Sequence, residues 1–327
     1  MGNHTSKLPD DQRVVVTGAG WVTPLGNDID SVWDRLLKGE SAVAPITHFD
    51  ASTFATNFAA EVTDFNLSDF FDDQGVHHTA GLSTQYALAA CHNAFKAANL
   101  DTNPVDPTRI GIYLGAGEGV LDYEPYMAAN VAAWDHDARA FDSKTWAEHA
   151  YKGMTPAPEL EQEPQLTALH LAKRFNAQGP NLNCMTACAA STQAIGEAAE
   201  LIRQGEADIM IAGGCHAMIH TLGITGFIRL TAMSTRRDDP ASASRPFDIT
   251  RNGFVMGEGA GIVILESLAS AKARGANILA EVSGFGSTAD AYRITDIHPD
   301  GQGGAGAMQM ALDQAGINPA DMREQQV

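Results

Sequence analysis

Residues 183–193 read Asn183-Cys-Met-Thr-Ala-Cys-Ala-Ala-Ser-Thr-Gln193, and this stretch decides how the chain folds. An apolar, strand-like run ends here and a helix of small residues begins, with Cys188 at the junction. The helix is predicted at about 189–204, because Gly205 is a typical left-handed cap residue. Its positive N-terminal end would face the sulfur and favour thiolate over thiol. Cys188 is therefore a candidate nucleophile; the alternative is a buried, inert structural cysteine.

Strand-like and helical stretches alternate along the rest of the chain. The residue pattern predicts helices at about 30–38 and 82–98. It predicts strands at about 13–17, 109–114, 181–186, 207–212, 261–266 and 278–284. Strands that are separated by helices indicate an α/β layered fold.

Several long motifs accompany Cys188 in a fixed order. They include Arg13-Val-Val-Val-Thr-Gly-Ala-Gly20, Arg109-Ile-Gly-Ile-Tyr-Leu-Gly-Ala-Gly117, Ala207-Asp-Ile-Met-Ile-Ala-Gly-Gly214, Met233-Ser-Thr-Arg-Arg-Asp-Asp-Pro240 and Arg251-Asn-Gly-Phe-Val-Met-Gly-Glu-Gly-Ala-Gly261. With these motifs the chain resembles the β-ketoacyl-acyl carrier protein synthases of the elongating type, within the thiolase superfamily. The resemblance covers nearly the whole chain, and several motifs in order are far more specific than one Thr-Ala-Cys triplet.

The resemblance implies a thiolase-like α/β/α/β/α layered fold. In that frame residues 1–267 form a complete N-terminal ketosynthase half, and residues 274–327 begin a second half that is truncated. The implied reaction is a decarboxylative Claisen condensation, in fatty-acid or polyketide synthesis. An acyl group moves from a carrier thioester to Cys188, and a malonyl-type donor then loses carbon dioxide and attacks it. The Cys188 backbone N–H would help to stabilise the oxyanion.

The family's site also contains two histidines and a lysine, and the motifs that carry them do not occur in these 327 residues. His216, His220 and His298 do not match either catalytic histidine of the family. We therefore expect the chain as written not to complete the condensation. A part of a longer enzyme, and a naturally short or repurposed relative, are both compatible with this pattern. The alternative function is a noncatalytic ketosynthase-like partner subunit, although such partners typically lack the nucleophilic cysteine.

Two positions are assigned to substrate binding by the resemblance. Glu118 stands where related enzymes carry a small or apolar residue that sets the depth of the acyl pocket, and a buried carboxylate there would need a partner. This predicts a nonstandard acyl preference, unless Glu118 turns toward solvent. Phe227 matches an aromatic residue of the pocket, and ordinary core packing is the alternative. Residues 121–165, rich in Asp, Glu, Pro and Ala, indicate an insertion or remodelled cap, or else a surface loop with its own helices.

The formal net charge of −19, from 21 basic and 40 acidic residues, argues against nucleic-acid binding, which depends on a basic surface. By resemblance the partners are an acyl carrier protein, acyl and malonyl thioesters, and a second ketosynthase subunit in a homodimer or heterodimer. Carrier proteins are acidic, so docking would need a local basic patch. Arg236 with Arg237, and Lys272 with Arg274, are candidates, and an ordinary solvated face is the alternative.

The remaining patterns exclude other classes. The four cysteines form no Cys-x-x-Cys pair or disulfide framework, which favours a reducing cytoplasm. No apolar run approaches the roughly 20 residues that span a bilayer, so we expect no membrane insertion. Gly18-Ala-Gly20 and Gly115-Ala-Gly-Glu-Gly119 fall short of the full dinucleotide-binding pattern. We expect neither a cofactor nor a metal.

Overall fold

The computed structural model describes residues 8–72, 75–102, 105–116, 122–294, 296–320 and 322. The strands are β1 (Val14–Val22), β2 (Ala44–Pro45), β3 (Phe58–Ala59), β4 (Ile110–Gly115), β5 (Trp134–Asp135), β6 (Ala140–Phe141), β7 (Asn181–Cys184), β8 (Ile209–His216), β9 (Gly259–Ser267) and β10 (Ala280–Glu281). The helices are α1 (Ile29–Leu37), α2 (Leu82–Ala97), α3 (Tyr123–Ala133), α4 (Ser143–Gly153), α5 (Pro156–Leu160), α6 (Leu166–Phe175), α7 (Ala190–Arg203), α8 (Thr221–Arg229), α9 (Leu268–Ala273) and α10 (Gln302–Ala315).

A mixed sheet with the order β10-β1-β9-β8-β4-β7 lies at the centre of the fold. The strands β7, β4 and β8 run parallel to one another. β9 runs antiparallel to both β8 and β1, and β1 also pairs with the short β10. The carboxyl ends of the three parallel strands therefore meet at one edge of the sheet.

Helices cover both faces of this sheet. On one face α2 buries Tyr86 and Leu88 in a cluster with Ile112 and Ile211 of the sheet. On the other face Ile202 and the small residues of α7 pack on Met210 and Leu265. Burial of such apolar side chains is the main stabilising term in folding. The result is an α/β/α arrangement, as the alternation of strands and helices predicted.

The first glycine motif serves this packing. A Cβ atom at Gly18 would meet the Ala94 carbonyl oxygen, and one at Gly20 would meet the Ala90 carbonyl oxygen, both in α2. Glycine is therefore required where helix and strand approach this closely. The motif Gly18-Ala-Gly20 is explained by contact between α2 and β1.

The segment 122–165 folds into helices of its own. α3 and α4 pack against each other, β5 and β6 pair between them, and the short α5 follows. We call residues 122–165 the cap segment. It leaves the sheet after β4, at the edge where the parallel strands end, and returns to it through α6. Its interpretation as an insertion or remodelled cap stays a prediction.

Residues beyond about 274 contribute at the opposite border of the sheet. The predicted strand 278–284 is regular only at Ala280–Glu281, where it pairs with β1. Arg13, which directly precedes β1, donates two hydrogen bonds to Glu281, at 2.9 and 2.7 Å. A Cβ at Gly286 would meet the Ala307 carbonyl oxygen, so α10 lies directly on this extended segment. The division into halves at 267 and 274 stays a prediction.

One candidate docking patch is contradicted by the fold. Arg274 is nearly buried and donates to the fully buried Glu266, with nitrogen–oxygen distances of 2.7 to 3.1 Å, and to the Ala98 carbonyl oxygen. Lys272 pairs with Asp10 at 2.6 Å. Arg274 therefore links α9 to the end of α2, because a buried carboxylate needs a paired cation. It is not a surface cation for a carrier protein.

Candidate active site

A sharp turn between β7 and α7 presents Cys188. β7 ends at Cys184, a 3₁₀ turn spans Ala187–Ala189, and α7 begins at Ala190. Ala187 has a φ of 49°, in the left-handed region that costs a residue with a Cβ about 1–2 kcal/mol. Cys188 follows and its side chain is exposed. The alternative of a buried structural cysteine is therefore wrong.

The turn lies where the parallel strands β4, β7 and β8 end. A Cβ on Gly115 would meet the backbone of Ala190 and Ser191, and one on Gly214 would lie 3.0 Å from the Ser191 Cβ. The last residue of β4, and Gly214 near the end of β8, thus touch the first turn of α7. Ligands of open α/β sheets bind outside the carboxyl ends of the strands. Cys188 is at the edge where this rule places a site.

The start of α7 has no side-chain cap. Its N-cap residue is Ala189, and among the described residues no capping hydrogen bond from a side chain is found there, as is also true of α2, α3, α5, α6 and α10. By contrast, Asp28 caps α1 by accepting a hydrogen bond from the Ser31 N–H. The Ala190 N–H donates to the Ala187 carbonyl oxygen, whereas the N–H groups that follow it in the first turn have no side-chain cap and keep capacity for a ligand. Such a helix start can stabilise an oxyanion next to Cys188.

The other three cysteines, all within described parts of the chain, are shielded. The Cys184 Sγ donates to the Ala190 carbonyl oxygen at 3.2 Å, and burial raises the pKa of its thiol. Burial raises the pKa of Cys215 to about 12 and that of Cys91 well above its usual value. A thiol with a raised pKa is a poor nucleophile at neutral pH. Cys188 is the exposed thiol of the four.

Phe227 lies on α8, which follows β8 and therefore begins near the same edge. Its ring is partly buried against a cluster that contains Ile224 and Met256. The ring of Phe254 meets it edge-on, with centroids 5.5 Å apart. The contacts are those of a partly buried core residue, and a role at the acyl pocket stays a prediction. Arg293 is exposed and pairs with Asp296 at 2.9 Å.

Three further positions from the sequence analysis are one glutamate outside the described residues and two histidines with local structural contacts. Glu118 falls in residues 117–121, outside the described part of the chain, and its assignment to the acyl pocket stays a prediction. His220 caps α8 by accepting the Gly223 N–H at 3.3 Å. The His216 Nδ1 lies 3.3 Å from the Gly257 carbonyl oxygen.

A buried polar network that sequence reasoning missed lies near the start of β9. The Glu258 side chain is buried, 2.9 Å from His48 Nε2, and accepts hydrogen bonds from the Val62 N–H and the Tyr86 hydroxyl. Burial, followed by the charge of Glu258, raises the pKa of Tyr86. No spacing in the sequence links these residues. They fix the loop that leads into β9.

Comparison with known proteins gives one consistent result. Residues 11–271 match the family model of the β-ketoacyl synthase N-terminal domain. The 3-oxoacyl-[acyl-carrier-protein] synthase 2 of Staphylococcus aureus (strain COL) is 40% identical over 316 residues, which cover 97% of this chain and 72% of that protein.

Solved structures of ketosynthases share the fold of this chain. A β-ketoacyl synthase from Burkholderia phymatum superposes with a TM-score of 0.80 at 31% identity, covering 93% of this chain and 71% of that one. The AntDE:AntF complex, a type II polyketide synthase acyl-carrier protein with its ketosynthase bound to the hexaketide, gives a TM-score of 0.76 at 31% identity. It covers 94% of this chain and 71% of that one.

The fold defines a thiolase-like α/β protein, with an exposed thiol at the carboxyl edge of its sheet. The chain belongs to the β-ketoacyl synthase family. Among the described helices, none combines the length and the apolar character needed to cross a membrane.

Proposed function

We propose that this chain is a condensing ketosynthase of fatty-acid or polyketide synthesis, with Cys188 as the residue that carries the acyl group. The observation that carries the proposal is the exposed Cys188 thiol at the start of α7, where no side chain of the described residues caps the helix. Membership of the β-ketoacyl synthase family supports the same reaction class.

The acyl transfer follows from this geometry. The Cys188 thiolate attacks the carbonyl carbon of an acyl thioester, a carbon–sulfur bond forms, and negative charge develops on the carbonyl oxygen. Backbone N–H groups of the turn and the first turn of α7 stabilise that oxygen. When the tetrahedral intermediate collapses, the carrier's thiolate leaves and takes up a proton. The acyl group then remains on Cys188.

The second half of the reaction forms the carbon–carbon bond. A malonyl-type thioester loses carbon dioxide, and the carbanion equivalent attacks the acyl carbon on Cys188. The new carbon–carbon bond replaces the acyl–sulfur bond, and the Cys188 thiolate returns. We assign no residue of this chain to the decarboxylation.

The partner that fits this chemistry is an acyl carrier protein. The related AntDE ketosynthase is a complex with its carrier protein, which supports a carrier partner here. Arg236 and Arg237, after α8, remain the candidate cations for an acidic carrier. A homodimer or a heterodimer with a second ketosynthase, and a cytoplasmic setting, belong to the same proposal.

Intact mass spectrometry tests the acylation step. The protein is incubated with an acyl carrier protein thioester, and the mass of the chain is compared before and after. We expect the wild type to gain one acyl mass and Cys188→Ala to gain none. Cys184→Ala is the matched control, because its thiol lies four residues upstream and is shielded. An adduct that persists in Cys188→Ala would contradict the proposal, and so would a wild type that gains no acyl group.

A further inference from the structure

A chain of hydrogen bonds fastens the cap segment to the body of the protein. The His77 Nδ1 lies 2.8 Å from the His170 Nδ1, and the His170 Nε2 lies 3.0 Å from Glu161 Oε1. His77 belongs to the 3₁₀ turn Gly75–Thr79, His170 to α6, and Glu161 to the cap segment just after α5. Both histidines are buried, and the Glu161 side chain is 11% exposed. Three separate parts of the fold are thus joined by two imidazole rings.

The proton positions in this chain follow from its acceptor. A carboxylate only accepts, so the His170 Nε2 donates to Glu161. A neutral His170 then has its lone pair on Nδ1, and the His77 Nδ1–H donates to it. The short contact between the two Nδ1 atoms is a hydrogen bond only while one of the two nitrogens carries a proton and the other does not.

The surroundings oppose a second positive charge. Burial lowers the pKa of His77, and the charges of His170, Arg174 and Lys173 lower it further, with Glu161 acting in the opposite direction. Arg174 and Lys173 are on α6, the same helix as His170. When both rings are fully protonated, two N–H groups face each other at His77 and His170. That contact becomes repulsive in a buried place.

We propose that His77, His170 and Glu161 form a pH-sensitive latch that holds the cap segment closed at neutral pH and releases it in acid. The cap segment follows β4 in the chain, and Gly115, the last residue of β4, touches the first turn of α7 behind Cys188. We expect release of the latch to alter access to the edge of the sheet where Cys188 lies. The link to access rests on the proposed function, whereas the latch itself does not.

Hydrogen–deuterium exchange of the whole chain tests the latch, after correction for the intrinsic pH dependence of exchange. Each proton that opening takes up changes the opening equilibrium about tenfold per pH unit. We expect peptides of α4 and α5 to exchange about tenfold faster or more at pH 5.5 than at pH 7.5, while peptides of α2 stay protected. Glu161→Met keeps a side chain of similar length but removes the acceptor for the His170 Nε2–H, so its cap should exchange rapidly at both pH values.

His78→Gln is the matched control, because His78 is exposed and bonds only locally, to the Gly75 carbonyl oxygen in the same turn. It should behave like the wild type. Equal exchange of the cap at both pH values in the wild type, or protection in Glu161→Met equal to that of the wild type, would overturn the latch. If Glu161→Met does not fold, the wild-type comparison alone decides. Hydrogen–deuterium exchange needs no acyl transfer, so it tests the latch independently of the proposed function. A failure of the proposed function would appear separately, as a missing acyl adduct on Cys188.

Discussion

At the scale of single residues, the position of Cys188 depends on two nearby residues, one with a left-handed backbone and one without a side chain. Ala187 adopts a left-handed backbone, and Gly115 leaves room for the first turn of α7. Neither residue takes part in chemistry. Together they hold Cys188 at the surface with the helix start behind it, so the reactivity of the thiol depends on backbone packing.

Gly115→Ala tests this dependence. The added methyl group would press on the backbone of Ala190 and Ser191, so we expect a loss of about 1–3 kcal/mol of stability and at least a tenfold slower acylation of Cys188. Rates from intact mass and denaturant unfolding measure both effects. Gly261→Ala is the control, since a Cβ there meets open space. Acylation of Gly115→Ala at the wild-type rate would contradict the packing argument.

Phe227→Ala tests the predicted acyl pocket. Removal of the ring enlarges any pocket that it borders, so acylation by a long acyl chain should rise relative to a medium one. A methylene in an apolar pocket is worth roughly 1–3 kcal/mol, which makes a change of tenfold or more measurable. Leu230→Ala, an exposed position just after α8, should leave the ratio unchanged. An unaltered ratio in Phe227→Ala would assign the ring to core packing alone.

At the scale of elements, the parts that local pattern controls were predicted well. The helix at 189–204 is observed as α7 at Ala190–Arg203, and α2 matches its prediction to within a residue, because apolar periodicity and a cap glycine act locally. The shielding of Cys184 and the burial of Arg274 were not foreseen. Both depend on contacts between distant segments, such as Arg274 with Glu266 and Ala98, which no spacing encodes.

Arg274→Met tests the link between α9 and α2. Because Glu266 is fully buried, loss of its cation leaves an unpaired charge, which costs about 3–5 kcal/mol. Lys272→Met is the matched control two residues away, where the exposed pair with Asp10 is worth about 0–1 kcal/mol. Urea unfolding of both variants gives the comparison. Equal destabilisation by the two substitutions would contradict the structural role of Arg274.

At the scale of the whole molecule, the motifs around Cys188 were sufficient to predict the layered fold, whereas the role of Cys188 as nucleophile stays a prediction. The buried histidine chain was beyond prediction, since His77 and His170 are 93 residues apart and meet only in the folded chain. The cap segment was recognised from its composition. Its attachment through Glu161 was not predicted, because it depends on side-chain contacts that form only in the folded chain. Glu118 stays a prediction because it lies outside the described residues.

Stability of the whole chain should decrease in mild acid. Burial lowers the pKa of His77 and of His92 below the ordinary value of 6.5. As the pH falls, the unfolded chain therefore takes up protons before the folded chain does. The stabilisation from the two neutral histidines is complete above about pH 6.5, and it is lost as the pH falls through their lowered pKa values. Urea unfolding at pH 7.5 and 5.5 measures the loss. His77→Gln should reduce the difference between the two pH values, and stability that rises on acidification would contradict this argument.

The central claim is that Cys188, and no other thiol, carries the acyl group. Trypsin cleavage after Arg174 and Arg203 releases one peptide that contains both Cys184 and Cys188. Fragment spectra of this peptide, after incubation with an acyl carrier protein thioester, locate the acyl mass on one of them. We expect the acyl mass on Cys188 alone. An acyl mass on Cys184, or an unmodified peptide from protein that is folded and fully exposed to the thioester, would contradict it.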